Sequence, residues 1–189
     1  MGGKPEVTSV LVAEHRLILR MLAVLERNAA LTGAGSYRNY GFYLDAVDFI
    51  RNYADRFHHA KEEKILFEAL VANGMPREHS PVAAMLLEHE HGRRFARALK
   101  EAARKAAAGA TDQDGVIVAN AFGYLQLLRD HIAKEDGVLY PLAERVLPAS
   151  VRPAIVSAYA EAELGVAALA EKYDRMVERC EGEATGKAA

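Results

Sequence analysis

The chain has 189 residues, 51% of them hydrophobic, and a net charge of −2 from 24 Lys and Arg against 26 Asp and Glu. That length fits one domain with a sizeable apolar core, and the near-neutral balance argues against a polyanionic partner such as nucleic acid. The single cysteine, Cys180, rules out an intrachain disulfide and a four-cysteine iron–sulfur centre. No apolar leader and no run of about 20 apolar residues occurs, so the expectation is a cytosolic protein without a membrane span. Glu6 stands where a myristoylation signal wants Ser or Thr.

Ala, Leu, Glu, Lys and Arg dominate, which favours helix throughout. Residues 1–7 read as a loose lead-in. Thr8 or Ser9 is placed to cap a first helix running to about Leu31. Its apolar stripe is Leu11, His15, Ile18, Leu22 and Leu25, with a histidine where the pattern wants leucine. A Thr32–Ser36 turn leads to a second helix over about 37–72, with stripe Val47, Ile50, Ala54, His58, Glu62, Ile65 and Ala69. Asn73-Gly74 ends it, because glycine accepts the left-handed conformation just past a helix.

Ser80-Pro81 opens a third helix, with serine as cap and proline in the first turn. Its stripe is Val82, Met85, His89, Gly92, Ala96 and Leu99. After the polar turn Thr111–Gly115, a fourth helix runs to about Val146 through Leu125, Leu128, His131, Glu135, Val138 and Leu142. Pro141 predicts a kink or short break there, since proline removes a helical hydrogen bond. A fifth helix with a weaker apolar face is expected over about 150–180, packed on or extending a bundle spanning 8–147. Residues 181–189 read as disordered.

The two halves repeat each other. Glu14-His15 matches Glu88-His89, and the pairs His58/Glu62 and His131/Glu135 share an offset of 73 positions (58 to 131, 62 to 135). On a helix, residues four apart lie on one face about 6 Å apart along the axis, so an imidazole and a carboxylate at that spacing can reach one ion. An up-down-up-down four-helix bundle would bring His15, His58, Glu62, His89, His131 and Glu135 together. Taken singly, each is an ordinary core histidine or helix pair. Taken together, two buried carboxylates without a cation would each lose several kcal/mol of solvation. Imidazole and carboxylate donors suit iron, zinc or manganese, and two carboxylates shared between helices suit two ions roughly 3.5–4 Å apart. Lys61, Glu63 and Lys64 read as a solvated face, His79 as exposed, and Cys180 as inert. Tyr43, Tyr53 and Tyr140 are expected in core or interface roles, with a hydrogen bond donated to such a site as the alternative for each.

The stretches Glu14-His15, His58-His-Ala-Lys-Glu62-Glu-Lys-Ile-Leu-Phe67, Glu88-His89 and His131-Ile-Ala-Lys-Glu135-Asp-Gly-Val-Leu-Tyr-Pro141 resemble the hemerythrin-like family of HHE cation-binding domains over about residues 9–147. The resemblance implies a four-helix bundle holding two non-haem iron ions joined by an oxo or hydroxo bridge. By position, Glu62 and Glu135 would bridge, and the four histidines would complete the coordination spheres. Oxygen-carrying hemerythrins have a second histidine four residues after the one in helix three; here it is Arg93. They also have an aspartate five residues after the last histidine; that position is Asp136, while Glu135 fits the His-x-x-x-Glu pattern. One ion therefore lacks a ligand, or takes His59 or His91.

Three functions follow as expectations. The first is a binder or sensor of a small ligand such as O2 or nitric oxide. The second is a redox enzyme acting on peroxide or nitric oxide, or in iron handling and stress repair. It would need an external electron donor, because no flavin or nicotinamide motif is present. The third is an interaction module with a structural or regulatory metal, motivated by the extra C-terminal helix, which could also form a homodimer contact.

Overall fold

The computed structural model describes residues 6–164 and 166–184. Six helices carry almost all of it: α1 (Ser9–Gly33), α2 (40–72), α3 (Pro81–Ala107), α4 (114–146), α5 (Arg152–Glu163) and α6 (Ala167–Ala184). No strand occurs among the described residues. The first four helices form the expected hemerythrin-like bundle, with the last two added to it.

The alternation of direction can be read from the core. Two apolar clusters fill the bundle, one on each side of a polar layer. Along α1 the order is Leu11 of one cluster, His15, then Ile18 of the other; along α2 it reverses, from Ala54 through His58 and Glu62 to Leu66. Helix α3 runs Met85, His89, Ala96, and α4 reverses again, from Leu128 through His131 and Glu135 to Leu139. Up-down-up-down order thus places one polar turn of every helix at the same height.

The caps explain the helix ends, with two departures from expectation. Ser80 Oγ accepts from the Ala83 amide at 3.3 Å, and Gly74 adopts φ 100° past α2, both as the sequence suggests. Thr8 stands at the α1 cap, but its side chain does not cap. Glu144 at the end of α4 instead accepts the Val7 and Thr8 amides at 2.7 and 2.9 Å. Val7 is accordingly buried rather than loose; residues 1–5 lie outside the described set. Asn39 caps α2, its side-chain Oδ1 accepting from the Phe42 amide at 3.3 Å, which moves the helix start from 37 to 40. Leu139 and Tyr140 keep helical dihedrals before Pro141, so no break occurs. A π-helical stretch, Glu135–Leu139, leads into the proline turn instead.

The single helix expected over 150–180 is two helices. Leu164, at ψ 123°, is extended and ends α5, and α6 begins three residues later. Helix also continues through Glu181–Glu183, where disorder was expected; residues 185–189 lie outside the described set. Arg152 at the start of α5 bonds Glu144, tying it to α4. Helix α6 packs against α1 and α2: Arg20 pairs with Asp174 at 2.7 Å and Glu181 at 2.8 Å, and Tyr173 donates to Asp48 at 2.8 Å. No single helix among the described residues is long and apolar enough to cross a membrane.

Candidate metal centre

Seven side chains meet in the polar layer: His15 from α1, His58, His59 and Glu62 from α2, His89 from α3, and His131 and Glu135 from α4. All are buried. They fall into two groups, His15–His58–Glu135 and His59–Glu62–His89–His131, with the donor atoms of each within 4.8 Å of one another. The six residues singled out in the sequence are thus brought together, and His59 joins them. His91 is half-buried and His79 exposed; both lie outside the two groups.

Imidazoles face each other in pairs. His15 Nε2 lies 3.0 Å from His58 Nε2, and His89 Nε2 lies 3.1 Å from His131 Nε2. The two glutamates span the pairs. Glu135 reaches His15 Nε2 at 3.3 Å with one oxygen and His131 Nε2 at 3.2 Å with the other. Glu62 Oε2 lies 3.4 Å from His89 Nε2 and 3.8 Å from His58 Nε2.

The outward nitrogens are held by a ring of carboxylates. Glu14 on α1 accepts from His58 Nδ1 of α2 at 2.8 Å, and Glu63 on α2 from His89 Nδ1 of α3 at 2.7 Å. Glu88 on α3 accepts from His131 Nδ1 of α4 at 2.9 Å, and Asp136 on α4 from His15 Nδ1 of α1 at 2.9 Å. Every helix therefore braces a histidine of the next, in one rotational sense. Such outer carboxylates fix the tautomer and aim of a ligating imidazole.

Two lysines hold two of the braces. Lys61 bonds Glu14 and reaches Glu163 of α5 at 2.9 Å, and Lys134 bonds Glu88. Lys61 is buried and Glu63 half-buried, which corrects their reading as a solvated face; Lys64 is exposed as expected. The four-helix pattern could not show that α5 covers Lys61.

Residues 6–143 match the family described as the hemerythrin HHE cation-binding domain. The chain belongs to that family. No curated protein and no solved structure matches it.

The donors fit the cation that an HHE domain binds. With each Nδ1–H given to a carboxylate, the Nε2 atoms carry lone pairs, and two such pairs face each other across about 3 Å. Glu62 Oε2, both carboxylate oxygens of Glu135 and His59 Nδ1 are buried without a hydrogen-bond partner. A layer of converging lone pairs and orphaned carboxylate oxygens is stabilised by positive charge at its centre. Burial holds the His58 pKa down to about 3, the neutral form a ligand needs. Burial, and then the neighbouring Glu62 charge, push Glu135 well above the usual carboxylate range, a cost that a bound cation removes.

The two halves of this HHE site differ. Tyr140 donates to Glu62 Oε1 at 2.5 Å, and its ring stacks on His15 at 5.6 Å. Phe67, at the matching place in the first half, stacks on His89 at 6.0 Å and carries no hydroxyl. His59 lies parallel to His89 with ring centroids 3.8 Å apart; the matching residue in the second half is Ile132. Tyr43 instead bonds Thr32 at 2.6 Å, and Tyr53 packs on Phe49 and Tyr173 in the core. Arg93 is no ligand: its guanidinium binds Asp55 at 2.8 Å, Glu63 at 2.7 Å and Glu90 at 2.6 Å. A cavity of about 340 Å³ between α2, α3 and α4 reaches His59, His89 and His131.

Residues 50–59 and 62–66 of α2 and 135–139 of α4 are π-helical, so four of the seven clustered side chains sit in stretches of widened helix. Such stretches are frequent at functional sites. Nothing in the apolar periodicity announces them. The braces, by contrast, had a signal: Glu14 and Glu88 precede their histidines, and Glu63 and Asp136 follow their glutamates, at matching places in both halves.

Proposed function

We propose that the layer holds two iron ions and that the protein binds or senses a small ligand such as O2 or nitric oxide. The carrying observation is that the cavity meets one group only. It is lined by His59, His89 and His131, and by none of His15, His58 and Glu135. An exchangeable position open to a small molecule therefore belongs to one ion. Iron would supply reversible, redox-active ligand binding, which zinc would not.

The protein's own residues have distinct tasks in this reading. Glu62 and Glu135 span the two groups and neutralise their charge. The Tyr140 hydroxyl fixes the orientation of Glu62. Glu14, Glu63, Glu88 and Asp136 keep the imidazole Nε2 atoms aimed inward. Ile50, Tyr124 and Leu128 make the approach to the open side apolar, which retards loss of an uncharged ligand to water. The test is metal analysis joined to visible spectra of the reduced protein before and after O2 or nitric oxide. About two irons per chain and new absorption on exposure support the reading; zinc, no metal, or an unchanged spectrum refutes it.

Redox turnover is a second reading, favoured by a cavity far larger than a diatomic molecule needs. Repeated consumption of peroxide or nitric oxide with an external electron donor, abolished by His131→Ala, is its expected result. A single stoichiometric reaction would refute it.

A further inference from the structure

The cavity beside His59 has a composition that a gas channel does not require. Its volume of about 340 Å³ falls in the range of roughly 300–1,000 Å³ typical of pockets for organic ligands. Ile50, Ala96, Tyr124, Leu127 and Leu128 make an apolar wall, and Gly92 leaves that wall open. A Cβ built on Gly92 would stand 3.5 Å from the Tyr124 ring and 3.8 Å from Leu127, so the missing methyl widens the space without being forced by a clash. At the inner end lies His59, buried, with its Nδ1 3.7 Å from Asp55, beyond hydrogen-bond reach.

The outer lining is cationic. Arg51, Arg56 and Arg97 are exposed and Lys100 is half-buried. The three acids of the lining are already engaged. Asp55 binds Arg93 at 2.8 Å, and Glu88 binds His131 at 2.9 Å and Lys134. Glu101 lies 3.6 Å from Lys105. Arg51, Arg97 and Lys100 have no ion pair with an acid among the described residues. An apolar wall beneath a mouth of unneutralised cations is complementary to a molecule with an apolar body and an anionic head.

We propose that this cavity binds an organic anion of the medium-chain carboxylate class, its carboxylate on Arg97 and Lys100 and its apolar body directed toward His59. The site rests on the metal-centre reading only for what the buried end of the ligand faces; the binding chemistry comes from the cavity itself. An uncharged molecule of the same length loses the head-group contact, and a cationic one is repelled at the mouth.

The experiment is calorimetric titration of the metal-loaded protein with octanoate, 1-octanol and octyltrimethylammonium. Octanoate is expected to bind about tenfold or more tightly than octanol, as charge-assisted contacts exceed neutral ones, with no detectable binding of the cation. The double variant Arg97→Gln/Lys100→Gln changes two side chains at the cavity mouth and should remove the preference for octanoate, leaving octanol binding unchanged. Gly92→Leu should abolish binding of both. Equal affinity for octanoate and octanol, or octanoate binding unaffected by the double variant, overturns the proposal. Iron content and spectra of the same samples report separately on the metal centre: a zinc-loaded protein that prefers octanoate keeps the anion site and removes the iron reading.

Discussion

Glu14 and Glu88 perform the same task in two different surroundings, and that difference predicts two different mutants. Glu14→Ala removes the brace on His58 and also a carboxylate that binds Lys61, whose side chain is only 2% exposed. Breaking a buried pair from one side costs about 3–5 kcal/mol. Glu163, 39% exposed and 2.9 Å from the ammonium, partly compensates, which places the loss near the low end, about 3 kcal/mol. Glu88→Ala removes the matching brace on His131, a cost the two variants share, but Lys134 is 47% exposed and returns to water, so the lysine adds about 1 kcal/mol at most. In a chain of this size each kcal/mol moves the melting temperature by about 2–4 °C. The metal-stripped Glu14→Ala protein should therefore melt about 4–8 °C below Glu88→Ala, because the two share the lost brace and differ by about 2 kcal/mol at the lysine. Metal affinity, by contrast, should fall in both by about 10–100-fold, the usual effect of losing an outer carboxylate. Thermal melts followed by circular dichroism, with chelator-competition titrations on the same samples, read both quantities. Equal melting losses would refute the burial argument; unchanged metal affinity in either variant would refute the bracing role.

His58→Ala with His131→Ala takes one imidazole from each group and should empty both; metal content equal to wild type would show that these are not ligands. His59→Ala takes a donor from the four-membered group only and should weaken metal binding there while the His15–His58–Glu135 group is unchanged; chelator-competition affinity and spectrum equal to wild type would leave His59 outside the coordination sphere. Tyr140→Phe strips Glu62 Oε1 of its donor and should destabilise the metal-free protein by about 1–3 kcal/mol in urea unfolding, less when metal is bound; no difference would mean that the hydroxyl contributes nothing. Gly123→Ala places a Cβ 2.4 Å from the Phe95 ring; overpacking of about 1–3 kcal/mol should exceed the helix-propensity gain of about 1 kcal/mol. Gly92→Ala meets only ordinary contacts and should be neutral or stabilising. Urea midpoints for the pair in the reverse order would refute this reading of the interface between α3 and α4.

The bundle and its polar layer were legible because apolar periodicity and the 73-residue repeat act on whole helices, and a histidine in an apolar stripe is conspicuous. Four features were missed. His59 looked misplaced because adjacent helical residues diverge by about 100°; that divergence is what sends His58 to one group and His59 to the other. Lys61 looked solvated because its cover, α5, comes about a hundred positions later, and a helical period records which way a residue points rather than what lies opposite. The break at Leu164 had a sequence signal, Gly165 at the place just past a helix end where glycine is favoured, but the weak apolar face on either side of it reads as one continuous helix. The role of Glu144, which accepts two amides from the start of α1, depends on a contact across most of the chain and leaves no local trace.

The duplication carries one more implication. A centre assembled from two identical helix pairs under a strict twofold axis would have two identical ions, each with the same neighbours and the same access. A single chain encoding both halves is released from that constraint, and this one has used the freedom at three positions. His59 stands against Ile132, Tyr140 against Phe67, and the buried Lys61 against the half-exposed Lys134. The symmetric parts, four histidines and their four braces, set the frame. The broken symmetry divides the labour, giving one half a hydroxyl that holds Glu62 and the other an extra imidazole at the end of an open cavity.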